Sequence, residues 1–230
     1  MIGIITALEA EMEIIRDNLT DEKTETISGI EYISGKIDNC DVVLAVCGIG
    51  KVFAAICTQT MILKYSPNII INTGVAGSLS EKLSVGDICI AQDVVHHDLD
   101  TSPIGDPVGM VSGINMIYFP TSEDLVSMFS DITSELGFDY MVGTIASGDQ
   151  FISTDEQKAY IKANFPASCC DMESASIGHV AYVNKIPFII IRAISDNADG
   201  SSSMDYPTFS KVAAKESASI VLNFISKLNQ

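Results

Sequence analysis

Positive charge is scarce in this sequence: Lys and Arg number 13 against 30 Asp and Glu, a formal net charge of −17. Nucleic acids and anionic membranes are bound by clustered Lys and Arg, so neither is an expected partner. The charge favours solubility and says little about fold. Long hydrophobic runs are also missing. None reaches the length that crosses a bilayer, and the N-terminal "MIGIIT" reads as a strand rather than a signal peptide. The six cysteines (Cys40, Cys47, Cys57, Cys89, Cys169, Cys170) show no C-x-x-C spacing. Several lie inside apolar strand-like runs, where a free thiol packs as a small hydrophobe. Reduced thiols in a cytoplasmic protein are therefore expected, not disulfides or zinc. The chain has only three histidines, too few for a convincing metal site. Two of them, His96 and His97, are adjacent and would face opposite ways on a strand. No internal repeat, low-complexity tract or linker divides the chain.

What is present is a core. Hydrophobic residues make up 47% and charged residues 19%, which argues against disorder, and 230 residues suit a single domain spanning 1–230. Apolar runs at 2–6, 42–46, 68–74, 87–92, 142–146 and 187–195 read as strands. Most are continuous rather than alternating, as expected where both faces of a sheet are covered. "TISGIEYISGKID" alternates and suits an edge hairpin. Helical patterns lie near 8–18, 51–65, 122–136, 154–164, 172–184 and 208–228. This interleaving predicts an α/β fold: a three-layer α/β/α sandwich around a mixed, mostly parallel sheet. The stretch 99–120, rich in Pro and Gly, reads as a long loop that forms a lid or an interface.

In such sheets ligands collect beyond the carboxyl ends of the strands. Those ends carry glycines, carboxylates or both: Glu9, Glu11 and Glu13, then "CGIGK", "GVAGS", "SGDQFIS" and "DNADG". "CGIGKV" fails the phosphate-loop pattern, with Ala45 in place of the first glycine and Val52 after Lys51, and Phe53 breaks the dinucleotide fingerprint. It is either a plain strand-to-helix turn or a ligand-lining one. Glu9 and Glu13 suit the first helical turn, where the helix dipole favours acids; Glu11 is spaced to point elsewhere. Asp196 ends the most apolar strand. It is a turn aspartate or a carboxyl at the edge of a dry pocket, where other carboxylates nearby would let it carry a proton at neutral pH. In "DMESA" the acids are helix caps or part of a site.

In order along the chain, "GIITALEAEME", "CGIGKVFAA", "NTGVAGSL", "VGDI", "SGDQFI", "DMESASIGHV", "PFIIIRAISDNAD" and "VAAKESA" resemble the 5'-methylthioadenosine/S-adenosylhomocysteine nucleosidases. These lie within the purine nucleoside phosphorylase-like superfamily, and the resemblance covers residue 2 to about 225. It implies hydrolysis of the N-glycosidic bond between adenine and a 5'-thio-substituted ribose, in a homodimer without metal or organic cofactor. By motif, Asp196 matches the general acid and Glu11 the general base. Glu173 matches the acceptor of the ribose hydroxyls, with Met172 against the sugar and Asp171 as the cap. Phe151 would stack on adenine and the backbone of Ile152 would read its edge. Ala76 and Gly77 would line base and sugar, Ile49 and Tyr206 the 5' end, and Ser195 and Arg192 would orient the acid and the water. Val75 stands where some members have serine near the water. The loop "DTSPIGDPVGMVSG" lacks aromatics that some members send into a partner's pocket. Three rivals remain: a phosphate-dependent phosphorylase, a nucleosidase acting on aminodeoxyfutalosine, and a non-catalytic nucleoside-binding protein. The acidic "TALEAEME" stands against a phosphate site, which would need arginines or an anion-binding nest there.

Overall fold

The computed structural model describes residues 1–228, excepting the side chains at 203 and 204. The described residues form ten strands and six α-helices. The strands are β1 (Ile2–Thr6), β2 (Thr20–Ile27), β3 (Ile30–Ile37), β4 (Cys40–Val46), β5 (Ile69–Ser78), β6 (Ile88–His96), β7 (Tyr118–Pro120), β8 (Tyr140–Ser147), β9 (Ala167–Asp171) and β10 (Phe188–Asp196). The helices are α1 (Glu9–Arg16), α2 (Lys51–Tyr65), α3 (Glu123–Glu135), α4 (Asp155–Asn164), α5 (Ser174–Val183) and α6 (Ser202–Lys227).

The continuous apolar strands are covered on both faces, as their lack of alternation requires. Neighbours along one strand enter opposite cores. Ile5, Val43 and Ala45 pack with Ala54 and Met61 of α2 and Ala175 and Ile177 of α5. Ile4, Leu44 and Ile71 pack with Met12 of α1, Phe129 of α3 and Phe224 of α6. In the middle of the sheet β4, β1, β5 and β10 run parallel, as do β6, β8 and β9. The hairpin β2–β3 forms one edge. The sheet also closes on itself. β5 pairs with β1 through Ile69–Asn72, then with β9 at Gly77 and Ser78, while β10 follows its other edge. Strands β5, β10, β6, β8 and β9 thus ring together, bringing their carboxyl ends to one rim.

Several elements depart from the sequence expectation. β9, "ASCCD", is short and lacks the aliphatic run that marks its neighbours, so its pattern is silent. β2 begins six residues before the alternating stretch, in the exposed charged run "TDEKTE"; edge strands carry such charges. Helix α6 starts at Ser202 and runs through Pro207. Its first turn has no apolar period and is set by local bonds instead: Ser202 Oγ accepts from Asp199 N–H at 2.8 Å and Ser201 Oγ donates to Asp205 at 2.7 Å. Helix α5 begins at Ser174, two residues later than expected.

Helix α5 lies close to the sheet because its facing residues are small. A Cβ at Gly178 would stand 2.6 Å from Val94 Cγ2 and 2.8 Å from the Phe188 ring. Alanine has the better helix propensity by about 1 kcal/mol, but overpacking of a filled core costs about 1–3 kcal/mol. Both neighbours are buried and cannot swing away, so the clash dominates. Gly178→Ala is expected to lower stability by about 1–2 kcal/mol, read as a fall in the urea midpoint at constant m-value.

Candidate active site

At the rim lies a cavity of about 190 Å³. Glu11, Ile49, Val75, Ala76, Gly77, Phe151, Ile152, Met172, Glu173, Ser195, Asp196 and Tyr206 all line it. Residues as far apart in sequence as Glu11 and Tyr206 are gathered because they lie at or beyond the ends of β1, β4, β5, β8, β9 and β10.

Glu11 sits in the first turn of α1 yet is only 3% exposed. Its side chain folds back toward the turn that precedes the helix. Oε2 accepts from the N–H groups of Ala7 and Leu8, both at 2.9 Å, and Oε1 accepts from Val75 N–H at 3.2 Å. Glu9 and Glu13, in contrast, are exposed. Burial pushes the Glu11 carboxyl above its usual range, against the pull of the Arg192 charge and the three amides. A raised carboxyl is a better proton acceptor once ionised.

Asp196 ends β10 and is buried. The β5–β10 register slips between Ile194 and Asp196, and such a bulge re-aims the side chain that follows. Asp196 Oδ2 accepts from Ser195 Oγ at 3.0 Å and Oδ1 from Ala198 N–H at 2.9 Å. Glu173 occupies the N-cap position of α5 without capping it. Its Oε1 accepts instead from Gly50 N–H at the start of α2, at 2.8 Å. Burial and the adjacent Asp171 charge raise the Glu173 carboxyl, and Arg192 opposes them. Tyr206 closes the cavity edge-on to Phe151, ring centroids 5.5 Å apart. Burial, together with the charges of Glu11, Glu173 and Asp196, pushes its hydroxyl up.

Two placements correct the sequence reading. Arg192 does not line the cavity; it lies beneath, 1% exposed. Its Nε donates to Asp171 Oδ2 at 2.7 Å and its NH2 to Asn72 Oδ1 at 2.8 Å, and it forms a 2.6 Å ion pair with Asp171. A guanidinium on a strand buried on both faces needs such partners. Asp171 is more than a cap. It does accept weakly from Ser174 N–H, at 3.3 and 3.4 Å, but it also takes a 2.5 Å bond from Ser147 Oγ, pairs with Arg192 and lines the cavity. Sequence reasoning missed Asn72, Ala7, Leu8, Gln150 and Cys170; only Asn72, a buried amide inside an aliphatic strand, left a signal there.

The chain matches the phosphorylase superfamily over residues 1–226. It is 39% identical over 229 residues to the 5'-methylthioadenosine/S-adenosylhomocysteine nucleosidase of Staphylococcus carnosus, covering 99% of this chain and 100% of that one. The chain belongs to this nucleosidase family. Its fold superposes on the Neisseria meningitidis nucleosidase, in complex with methylthio-immucillin-A, with a TM-score of 0.95 at 32% identity, covering 98% of both chains. A futalosine hydrolase of Helicobacter pylori is similar too, with a TM-score of 0.94 at 32% identity over 98% of this chain and 97% of that one. The chain is thus a hydrolase acting on N-glycosyl bonds.

The nucleosidase's "GVAGS" glycines each make room for a carboxylate. A Cβ at Gly74 would run into Arg192 Nη1 and lie 2.6 Å from Glu11 Oε1. One at Gly77 would lie 2.9 Å from Asp196 Oδ1. Gly74→Ala is expected to displace Glu11 and lower turnover about 10²-fold or more, since a displacement of 1 Å near the chemistry can cost that much; steady-state kinetics with an unchanged far-UV spectrum would check it.

The histidines of the nucleosidase serve packing. His96 Nε2 faces His179 Nδ1 at 3.4 Å, and His179 stacks on Phe119 at 4.6 Å. His97 turns the other way, against Gly148. Among the described residues no group of three or more His, Cys, Asp or Glu is arranged to hold a metal ion, and no helix is long and apolar enough to cross a membrane. Burial first, then the charges of Lys51 and His179, lowers the His96 pKa to about 4. Its folded-state pKa lies below the ordinary 6.5, so its stabilisation is present above pH 6.5 and is lost as pH falls toward 4. By pH 4.5 the loss should reach about 2 kcal/mol. His96→Leu should therefore lose less stability than the wild type between pH 7 and pH 4.5, measured by urea unfolding at each pH.

Proposed function

We propose that Glu11 and Asp196 carry the hydrolysis, as general base and general acid, within one catalytic domain spanning residues 1–230. The observation that supports this most is their burial in one cavity, from opposite ends of the chain, each held by backbone amides. Adenine leaves poorly as an anion. Asp196 gives a proton to the base, at N7, as the bond to the sugar lengthens, and Glu11 takes a proton from the attacking water. The two carboxyls act on opposite sides of the sugar, as in inverting glycoside cleavage.

The rest of the cavity fits the substrate. The Glu173 carboxylate accepts from the ribose hydroxyls and lies near the developing oxocarbenium charge, with the soft thioether of Met172 against the sugar. Phe151 stacks on adenine, the Ile152 backbone reads its edge, and Ala76 and Gly77 line base and sugar. Ile49 and Tyr206 border the 5' group. Ser195 steadies Asp196 through its 3.0 Å bond. Val75 contributes its N–H to Glu11, a role indifferent to the serine that some members carry there. Arg192 acts from below by its charge. It is no phosphate site, because its Nε and Nη2 are engaged by Asp171 and Asn72 and the cavity above is lined by carboxylates. Neither metal nor organic cofactor has a part in this chemistry. 5'-Deoxyadenosine and aminodeoxyfutalosine present the same bond to the same pair.

A homodimer completes the proposal. Ile49, Val52, Phe53 and Ile56 form an exposed apolar face at the start of α2, and Ile104 projects from the 99–120 loop. Contiguous apolar patches of this kind mark interfaces. Ile49, which borders the 5' group, belongs to that face as well.

Each carboxyl should be worth about 10²–10⁴-fold. Glu11→Gln and Asp196→Asn are expected to lower turnover of 5'-methylthioadenosine by at least that factor without a change in melting temperature. Wild-type product should be adenine and free 5-methylthioribose, the same with or without phosphate. A fully active Asp196→Asn enzyme, or a sugar 1-phosphate product, would overturn the assignment.

A further inference from the structure

We propose that Asp98, outside the acid–base machinery, is a positioning residue for adenine recognition. It acts through a closed ring of hydrogen bonds that fixes the loop carrying Phe151 and Ile152. The inference rests on the assignment of that loop to the adenine face.

The loop, 148–154, joins β8 to α4 without regular structure, and residues 149–151 are exposed. Behind it opens a second cavity of about 410 Å³, bordered by His97, Asp98, Gln150, Ile152 and Tyr160. Packing on that side is therefore sparse, and the loop depends on polar ties. These converge on Asp149. Its N–H donates to Asp98 Oδ2 at 2.9 Å, and its Oδ1 accepts from Lys51 N–H at 2.7 Å. Lys51 Nζ then donates to Asp98 Oδ1 at 2.5 Å, which closes the ring. Three segments meet in it: the start of α2, the turn after β6 and the loop after β8.

Asp98 is the ring's double acceptor. Burial opposes its charge, but the Lys51 ammonium and the Asp149 N–H more than offset this and hold the carboxyl below its usual range. The neighbouring amide links the ring to the ribose site. Gly50 N–H donates to Glu173 while Lys51 N–H donates to Asp149. Two successive amides at the start of α2 thus set the distance from the ribose carboxylate to the adenine loop. Gly50 has φ +99°, and a Cβ there would lie 3.0 Å from Asp149 Oδ1, so the arrangement calls for glycine. Opening the ring would let the adenine face drift relative to Glu173 while leaving Glu11 and Asp196 where they are.

The test compares wild type, Asp98→Ala, Asp98→Asn, Lys51→Met and the Asp98→Ala/Lys51→Met double variant. For each, product inhibition by adenine, KM and kcat for 5'-methylthioadenosine, the pH profile of kcat and the melting temperature are measured. Asp98→Ala should raise the adenine inhibition constant and KM about tenfold, with kcat changed less and both pH limbs unmoved. Lys51→Met should shift the same two constants, and the double variant should be no worse than Asp98→Ala, because both open one ring. Asp98→Asn keeps an acceptor for Asp149 N–H and should recover part of the loss. Unchanged adenine inhibition in folded variants, additive effects in the double variant, or a moved pH limb would each overturn the inference. If Asp98→Ala does not fold, Asp98→Asn and Lys51→Met decide it by the same constants. Failure of the wild type to release adenine would instead strike the adenine-site reading itself.

Discussion

At the floor of the cavity, the guanidinium of Arg192 and the carboxylate of Asp171 are paired, both side chains almost wholly buried. Removing two such charges from solvent costs several kcal/mol per ion unless the remaining donors and acceptors are matched. Here they are matched, since Asn72 takes a guanidinium N–H and Ser147 and Ser174 donate to the aspartate. The pair makes the cavity above it possible. Glu11, Glu173 and Asp196 are all buried in one small space, an arrangement that mutual repulsion would oppose. The positive charge below eases that repulsion for the first two. Burial nonetheless outweighs the pull of Arg192 on Glu11, whose carboxyl stays above its usual range.

Geometry follows from this electrostatic base. Asn72 also donates to the Ile5 carbonyl at 2.9 Å. That bond ties Arg192 on β10 to β1, the strand that leads into the Glu11 turn. The bulge in β10 then aims Asp196, and the glycines of β5 leave the volume that the carboxylates occupy. No single element holds the site; it exists where the ring of strands brings its ends together.

Much of this could be read from the residues. Strands such as 2–6 and 187–195 announced themselves by unbroken aliphatic runs, and Glu11 and Asp196 by their places at strand ends. What escaped was whatever depended on partners distant in sequence. "ASCCD" becomes a strand because β8 and β5 offer it edges, not because of its own pattern. Asp171 looked like a cap because the residues after it read as a helix, and nothing local reveals a guanidinium from 21 residues away. Closure of the sheet is likewise invisible, since it turns on β5 changing partner halfway along.

One consequence lies in how Glu11 is gripped. Its three hydrogen bonds come from the main chain at Ala7, Leu8 and Val75, and main-chain amides are the same whatever side chain they bear. Residues 8 and 75 also border the cavity. Their side chains can be exchanged, reshaping the room offered to a nucleoside, while the grip on the base stays constant. The fold therefore separates the freedom to change what is bound from the obligation to keep how it is cleaved.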